Sequence, residues 1–404
     1  MTVWAIPSRS GPHYSGRMKG VLSSVWKFDF ARCDQARLAR WTLPILVLML
    51  GFGAYDMLFD TGSGLYSFLN GDKNPLPAWA SWGLVSVIGL YISLFAMASF
   101  VMSVRRFGAE TFLPVFWPHF LSNIVAALAG FALFAALGGI AWALGFDYAA
   151  GANLVDRAYD GVYGWLQGHI PTITVLPYPL AIAAGIVLGA LPGYFSHWLA
   201  HHSRFFWYCS HRGHHSAAIL HPVGAGPFMF LPEIFGKLTG VFFAALATKL
   251  VYYQPLLFET LVLGSIGILI EKFNHTTVFY EFAYRNPLVR WLSAYSGGGV
   301  YHYTHHTSKP GDEIVNVGGT PFLIWDRVFG TYRTPAPTAP RVGLTGNPQI
   351  ALSPFAIIFS GWQQIAWELR ANKSWSDRFW ILFGTVYWAP PLSRDFLIQG
   401  YPES

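Results

Sequence analysis

Long stretches without a charged residue are the feature that most limits what this chain can fold into. Residues 75–104 and 111–146 contain no Asp, Glu, Lys or Arg, and neither do residues 161–203. Each stretch is long enough for a helix of about 20 residues, the length that crosses a lipid bilayer. The chain is 53% hydrophobic and only 11% charged, which is typical of a membrane protein with several spans.

These apolar segments predict an all-α, polytopic membrane protein with about six transmembrane helices. The predicted spans are residues 41–55, 75–104, 111–146, 181–202, 235–253 and 256–273. Lys249 and Glu259 interrupt the last two, so a re-entrant pair is the alternative there.

Loop charges predict the orientation of the spans. Residues 1–40 contain seven Lys or Arg against two Asp, and Arg105 and Arg106 follow the second span, whereas the loops at 56–74 and 147–160 are acidic. Basic loops stay on the cytoplasmic side, so both termini and everything after the fourth span are expected there. We therefore expect a protein of a bacterial inner membrane or the endoplasmic reticulum, with a cytoplasmic, histidine-rich helical cap.

The spacing of the histidines predicts a metal site. Nine of the 14 histidines form four groups, all at or beyond the end of the fourth predicted span. The groups are His197 and His201; His211, His214 and His215; His275; and His302, His305 and His306. Residues three and four apart share one helix face, so each group can direct its imidazole rings to one place. Histidine clusters facing lipid would be costly without partners, and a bound metal is the simplest compensation.

The number of these histidines indicates two ions. A closed zinc site takes four ligands, so nine imidazoles fit two ions with four or five nitrogens each and open positions. Nitrogen-rich open sites suit iron as well as zinc, and spacing alone does not select the element. Of the other histidines, His13, His119 and His169 are expected to be structural, while His202 and His221 are left open as ligands.

The order of these motifs resembles a known family. HxxxH at 197–201, HxxHH at 211–215, His275 after a helix, and HxxHH at 302–306 are followed by NVGGTPFLIWDRVFGTY at 316–332. This order is similar to that of the fatty acid hydroxylase/sterol desaturase superfamily, integral-membrane enzymes with a histidine-rich di-iron centre. The resemblance covers about residues 178–335. It implies two iron ions, O2 as co-substrate and an external reductant.

The resemblance implies an O2-dependent oxidoreductase that hydroxylates or desaturates a C–H bond of a lipid. The chain has no glycine fingerprint for a dinucleotide, no haem-attachment motif and no CxxC pair. Electrons are therefore expected from a separate protein, a ferredoxin or a cytochrome b5 with its reductase. No basic stripe with interleaved aromatic residues indicates nucleic acid.

Other functions stay open at this point. Within the same superfamily, the alternatives are a desaturase, a sterol-methyl oxidase or an ether-lipid oxidase. From another class, the alternative is a histidine-rich metal transporter. A transporter would place ligands near the middle of several spans, and the segments 75–104 and 122–146 contain no histidine or acidic residue.

Three further residues are expected to support the ligands. Glu271 lies four residues before His275 and is either an acceptor for that ring or paired with a nearby basic side chain. Asn316 and Asp326 belong to the closing motif; Asp326 is expected to accept a ring N–H from a ligand and to pair with Arg327.

Changes in composition divide the chain into four parts. These are the basic segment 1–40, N-terminal helices and loops at 41–175, the catalytic domain at 176–335 and a C-terminal segment at 336–404. Residues 350–390 are rich in Trp and Phe but too often charged to cross a membrane. They are expected to form interfacial helices with a tryptophan belt.

Overall fold

The regular secondary structure of the chain is helical, as the sequence predicts. The computed structural model describes residue 44 and residues 78–145, 160–223, 231–256, 259–260, 275–345 and 353–397. Within these ranges there is no strand, and the only extended pairings are isolated bridges between Ser203 and Thr385 and between Thr307 and Val342. The all-α class is therefore confirmed for the described part of the chain.

Four long helices come from the apolar segments, and shorter ones form the cap. The long helices are α1 (Ala78–Phe107), α2 (Ala109–Ala143), α3 (Tyr178–His202) and α5 (Leu231–Val251). Between α3 and α5 lie a three-residue helical turn at Arg204–Phe206, a π-helical turn at Trp207–His211 and the short helix α4 (Arg212–His215). The cap continues with α6 (Tyr280–Arg285), α7 (Pro287–Ser296), α8 (Gly299–His305) and α9 (Ile324–Phe329), and the C-terminal segment forms α10 (Pro354–Ala371) and α11 (Trp375–Phe383).

Helices α3 and α5 form a tightly packed antiparallel pair. A Cβ added at Gly185 would meet Thr248, and one added at Gly189 would lie 2.8 Å from the Cβ of Ala244. Small residues at these positions let the two backbones approach closely, as in packed membrane helices. This pair brings the C-terminal end of α3 under the cap.

One described helix, α3, is both long and apolar enough to cross a membrane by length and composition. A shorter apolar helical stretch at Thr239–Val251 lies within α5. The predicted span at 41–55 lies outside the described residues except for residue 44, and most of 256–273 also lies outside them. The count of six spans therefore stays a prediction.

The C-terminal segment packs onto the cap more deeply than the sequence indicates. Helix α10 buries Ile357, Gln364 and Glu368, and it contacts α2, α4 and the π-helical turn. One face of α10 therefore packs against the protein while Trp362 on the same helix is 42% exposed, and the interfacial position of the segment stays a prediction. In contrast, α11 leaves Trp375 and Phe383 largely exposed, which still suits an interfacial position.

Candidate metal centre

The structure brings all nine predicted histidines together in two adjacent groups. The five-histidine group consists of His197, His201, His211, His215 and His305, and the four-histidine group of His214, His275, His302 and His306. Within each group the candidate ligand atoms all lie within 4.8 Å of one another. Residues separated by more than 100 positions in the chain thus meet at one place, as the histidine count predicts.

Local helix geometry explains how each side chain reaches its group. His197 and His201 lie one turn apart at the end of α3, so both point to the five-histidine group. The π-helical turn ends at His211, and α4 follows directly. Across this junction His211 and His215 face the five-histidine group while His214 faces the other. The segment 211–215 therefore joins the two groups.

Nitrogen spacings within the groups match the ligands of a metal ion. Neighbouring Nε2 atoms lie 2.8–3.2 Å apart in the five-histidine group and 3.1–3.2 Å apart in the four-histidine group. Two nitrogens bound to one ion at about 2.1 Å lie about 3.0 Å apart at a right angle and about 3.4 Å apart in a tetrahedron. The observed spacings lie at or near these values, so each group is compatible with one shared ion, and the spacing does not select the element.

Backbone carbonyls orient two rings of the five-histidine group. His197 Nδ1 lies 2.7 Å from the carbonyl oxygen of Val317, and His305 Nδ1 lies 2.8 Å from that of Val315. A carbonyl only accepts, so each Nδ1 carries the hydrogen, and the Nε2 of the neutral ring keeps its lone pair. These lone pairs converge on one point and repel each other unless a cation lies between them. The arrangement therefore fits a bound metal ion.

Burial keeps these rings in the form that binds metal. Desolvation by burial, followed by repulsion between neighbouring histidines, lowers the pKa of His211, His215, His302, His305 and His306 well below the usual 6.5. The rings are consequently neutral at pH 7. A neutral imidazole offers its lone pair without first releasing a proton.

Asp326 supports the ligands through the backbone rather than by direct contact. Its carboxylate accepts hydrogen bonds from Val317 N–H (2.8 Å), Gly318 N–H (2.9 Å) and the Thr331 hydroxyl (2.7 Å). The expectation that it accepts a ring N–H is wrong, because the Val317 carbonyl takes that bond from the ligand. The expected pairing with Arg327 is also replaced: the Arg327 Nε donates to the Phe322 carbonyl.

Asn316 holds the same loop from the other side. It adopts a left-handed backbone conformation with φ of 49°, which Asn tolerates better than most residues. Its side-chain amide donates to the carbonyls of Tyr301 and Arg333 and accepts from the Arg333 N–H. Asn316 thus fixes the position of Val315 and Val317, whose carbonyls orient the two rings. Glu271 lies outside the described residues.

Two histidines that the sequence left open lie outside both groups. His202 stacks on Trp198 with ring centroids 4.4 Å apart. His221 Nε2 donates to the Ala96 carbonyl at 3.1 Å, and the ring packs edge-on against Phe116. Both have structural contacts.

A set of buried charged residues next to the histidine segment 211–215 was not predicted from the sequence. Arg204 pairs with Glu368, and Arg212 pairs with Asp395. Their partners lie more than 150 positions away in the chain, so no local spacing pointed to them. The sequence signal was limited to Arg212 within the HxxHH motif and Arg204 seven positions before it.

Comparison with known families agrees with the motif order. The model of a family described as fatty acid hydroxylase matches residues 182–331. This segment contains all nine histidines of the two groups together with Asn316 and Asp326. Neither the curated proteins nor the solved structures gave a match.

Proposed function

We propose that the protein, whose residues 182–331 match the model of the fatty acid hydroxylase family, is a membrane-bound lipid oxidase with two iron ions. It hydroxylates or desaturates a C–H bond of a lipid with O2 and electrons from a separate carrier protein. One observation supports this proposal above the others. Nine imidazoles within the matched segment converge in two adjacent groups with the nitrogen spacing of metal ligands.

The histidine groups would hold one ion each. The five-histidine group takes its ring orientation from the Val315 and Val317 carbonyls. The four-histidine group is joined to it through the segment 211–215, so the two sites have a defined separation. An unactivated C–H bond is beyond the acid–base chemistry of side chains, and bound iron with O2 would supply the oxidising power. The protein positions the ligands, keeps them neutral and shields them from water.

The membrane arrangement of the proposal follows from the position of α3. Helix α3 has the length and composition of a membrane span, and it ends at the histidines of the five-histidine group. We propose six spans with the histidine cap on the cytoplasmic side. A lipid chain would then reach the site from the bilayer, while a ferredoxin or a cytochrome b5 would deliver electrons from the cytosol.

A metal transporter is the alternative from another class. Within the described residues, both histidine groups lie at the C-terminal end of α3 and in the cap rather than along the length of several helices. In the described part of α1, no side chain belongs to either group. This placement favours an oxidase over a transport path. Sterol-methyl and ether-lipid oxidation stay alternatives within the same chemistry.

Comparative lipid mass spectrometry tests the proposal. Cells that express the chain are compared with cells that express the His302→Ala variant, and His169→Ala, a substitution outside both groups, is the control. A lipid that gains one oxygen atom identifies hydroxylation, and one that loses two hydrogen atoms identifies desaturation. Metal analysis of the purified protein should find two irons per chain. A single zinc per chain, with no lipid change, would contradict the proposal.

A further inference from the structure

Two buried arginines flank the π-helical turn that presents the ligands. Arg204 precedes the turn, and Arg212 follows His211 directly. Both guanidinium groups lie over the ring of Tyr208, at 4.7 Å and 4.6 Å from its centroid. Buried arginines need partners that compensate their charge.

The partner of Arg204 comes from α10. Its Nη2 donates to both carboxylate oxygens of Glu368 at 2.6 and 2.7 Å, and the two side chains are 3% and 0% exposed. Glu368 also accepts hydrogen bonds from the Gln364 amide and the Ser393 hydroxyl. The carboxylate is thus fully engaged in a network supplied by the C-terminal segment.

The partners of Arg212 come from the same segment. Its Nη1 donates to Asp395 at 2.6 Å and to the Gln364 side-chain oxygen at 3.2 Å, and its Nη2 donates to the Ser360 hydroxyl at 3.4 Å. Gln364 therefore bridges the two arginine sites. Residues 353–397 provide all of these partners, and they lie outside the matched segment 182–331.

The backbone of α10 also meets the backbones of the π-helical turn and of α4 without intervening side chains. A Cβ at Gly361 of α10 would collide with the Tyr208 carbonyl, and a Cβ at Gly213 would collide with the Ile357 carbonyl. Helix α10 thus lies directly on the turn and on α4. The position of the histidine segment 211–215 depends on this contact, because a lateral shift of α10 would displace the backbone of the turn and of α4.

The turn that these contacts hold is an uncommon structure. π-Helices are rare and appear mostly as single turns, frequently at functional sites. Buried ion pairs add little to stability because desolvation offsets the attraction, but they can define one geometry. We propose that the C-terminal segment 353–397 is a positioning part of the metal centre. The pairs Arg204–Glu368 and Arg212–Asp395 hold the turn so that His211 and His215 face one ion and His214 faces the other.

This inference rests on the proposed two-metal centre, and iron release tests it separately. The full chain, Glu368→Gln and Asp395→Asn are purified, loaded with Fe(II) without oxygen and challenged with an iron chelator. The full chain should bind two irons. In both variants the iron of the five-histidine group, which takes two of its ligands from the segment 211–215, should be released first, at about 10–100-fold lower chelator concentration, as for other residues that orient metal ligands. The Co(II)-loaded variants should show altered visible absorption bands, since these report ligand geometry.

Two further variants make the result decisive. Asp377→Asn removes a carboxylate of the same segment outside the network and should leave iron release unchanged. The double variant Arg204→Met/Glu368→Leu removes both charges and leaves no buried charge alone, so the protein should fold and still release one iron early. Unchanged release and unchanged Co(II) bands in folded variants would overturn the positioning role. Failure of the full chain to bind iron would instead contradict the proposed function.

Discussion

Replacing Asp326 should weaken both the fold of the cap and the hold on one metal ion. The carboxylate is fully buried and accepts three hydrogen bonds, two of them from the backbone N–H groups of Val317 and Gly318. An asparagine keeps one acceptor oxygen but turns an NH2 group toward one of these N–H donors. A buried donor without an acceptor costs about 1–3 kcal/mol, so Asp326→Asn should lower the free energy of unfolding by that amount.

The effect on the metal follows from the carbonyl of Val317. This carbonyl accepts the Nδ1–H of His197 at 2.7 Å, so a displaced loop misorients that ring. Loss of a residue that orients ligands costs about 10–100-fold in metal affinity. Asp326→Ala, which leaves the two backbone N–H donors of Val317 and Gly318 without the carboxylate, should cost about 2–6 kcal/mol in stability.

Denaturant titration in detergent, iron release to a chelator and lipid oxidation together measure this prediction. Val328→Ala is the matched control, because Val328 lies on the same helix and is 64% exposed. It should change none of the three measurements by more than about 0.5 kcal/mol or its equivalent. If Asp326→Asn retained full stability and full iron affinity, the carboxylate would not support the ligand loop.

Three further predictions follow from the site and its supports. His302→Ala and His305→Ala should both abolish lipid oxidation while the protein still inserts into the membrane. His302→Ala should lose iron more readily, because three ligands remain in its group instead of four. Full activity in either variant would contradict the ligand assignment. Gly361→Ala should lower the free energy of unfolding by about 1–3 kcal/mol through overpacking. The control Gly193→Ala, where a Cβ meets nothing within 4 Å, should not destabilise the protein. Equal unfolding midpoints for the two variants would show that α10 does not pack directly against the π-helical turn. The buried histidines of the cap have pKa values below the unfolded value of about 6.5, so they bind protons less well in the folded state. The metal-free protein should therefore keep its stability above about pH 6.5 and lose it as the pH falls below that value. An unfolding midpoint that stays constant between about pH 7.5 and 5.5 would refute the lowered pKa values.

Much of the metal centre was predictable because its ligands follow a local rule. Residues at i, i+3 and i+4 share a helix face whatever the rest of the fold does, so the spacing of His197 with His201 already indicates a common target. The grouping of His302, His305 and His306 was different. His302 and His305 lie on α8 and His306 follows at its end, yet His305 joins the five-histidine group and the other two join the four-histidine group. Spacing alone did not show that division.

The role of Asp326 shows the same limit. The closing motif marked it as a supporting residue, and the carboxylate does support the site. The carboxylate, however, accepts a hydrogen bond from the backbone N–H of Val317, nine positions away in a loop. The ligand His197 contacts the carbonyl of that same residue. A sequence pattern names side chains, so it does not reveal a support that acts through the backbone.

By itself, the sequence determined the helical class, the nine histidines and the family resemblance, because each depends on composition or on spacing within one short segment. Tertiary structure decided how the histidines divide between two groups and which residues hold them there. The pairs Arg204–Glu368 and Arg212–Asp395 join parts of the chain 164 and 183 positions apart. Contacts at such separations form only when the packed helices bring the residues together, so no periodicity in the sequence predicts them.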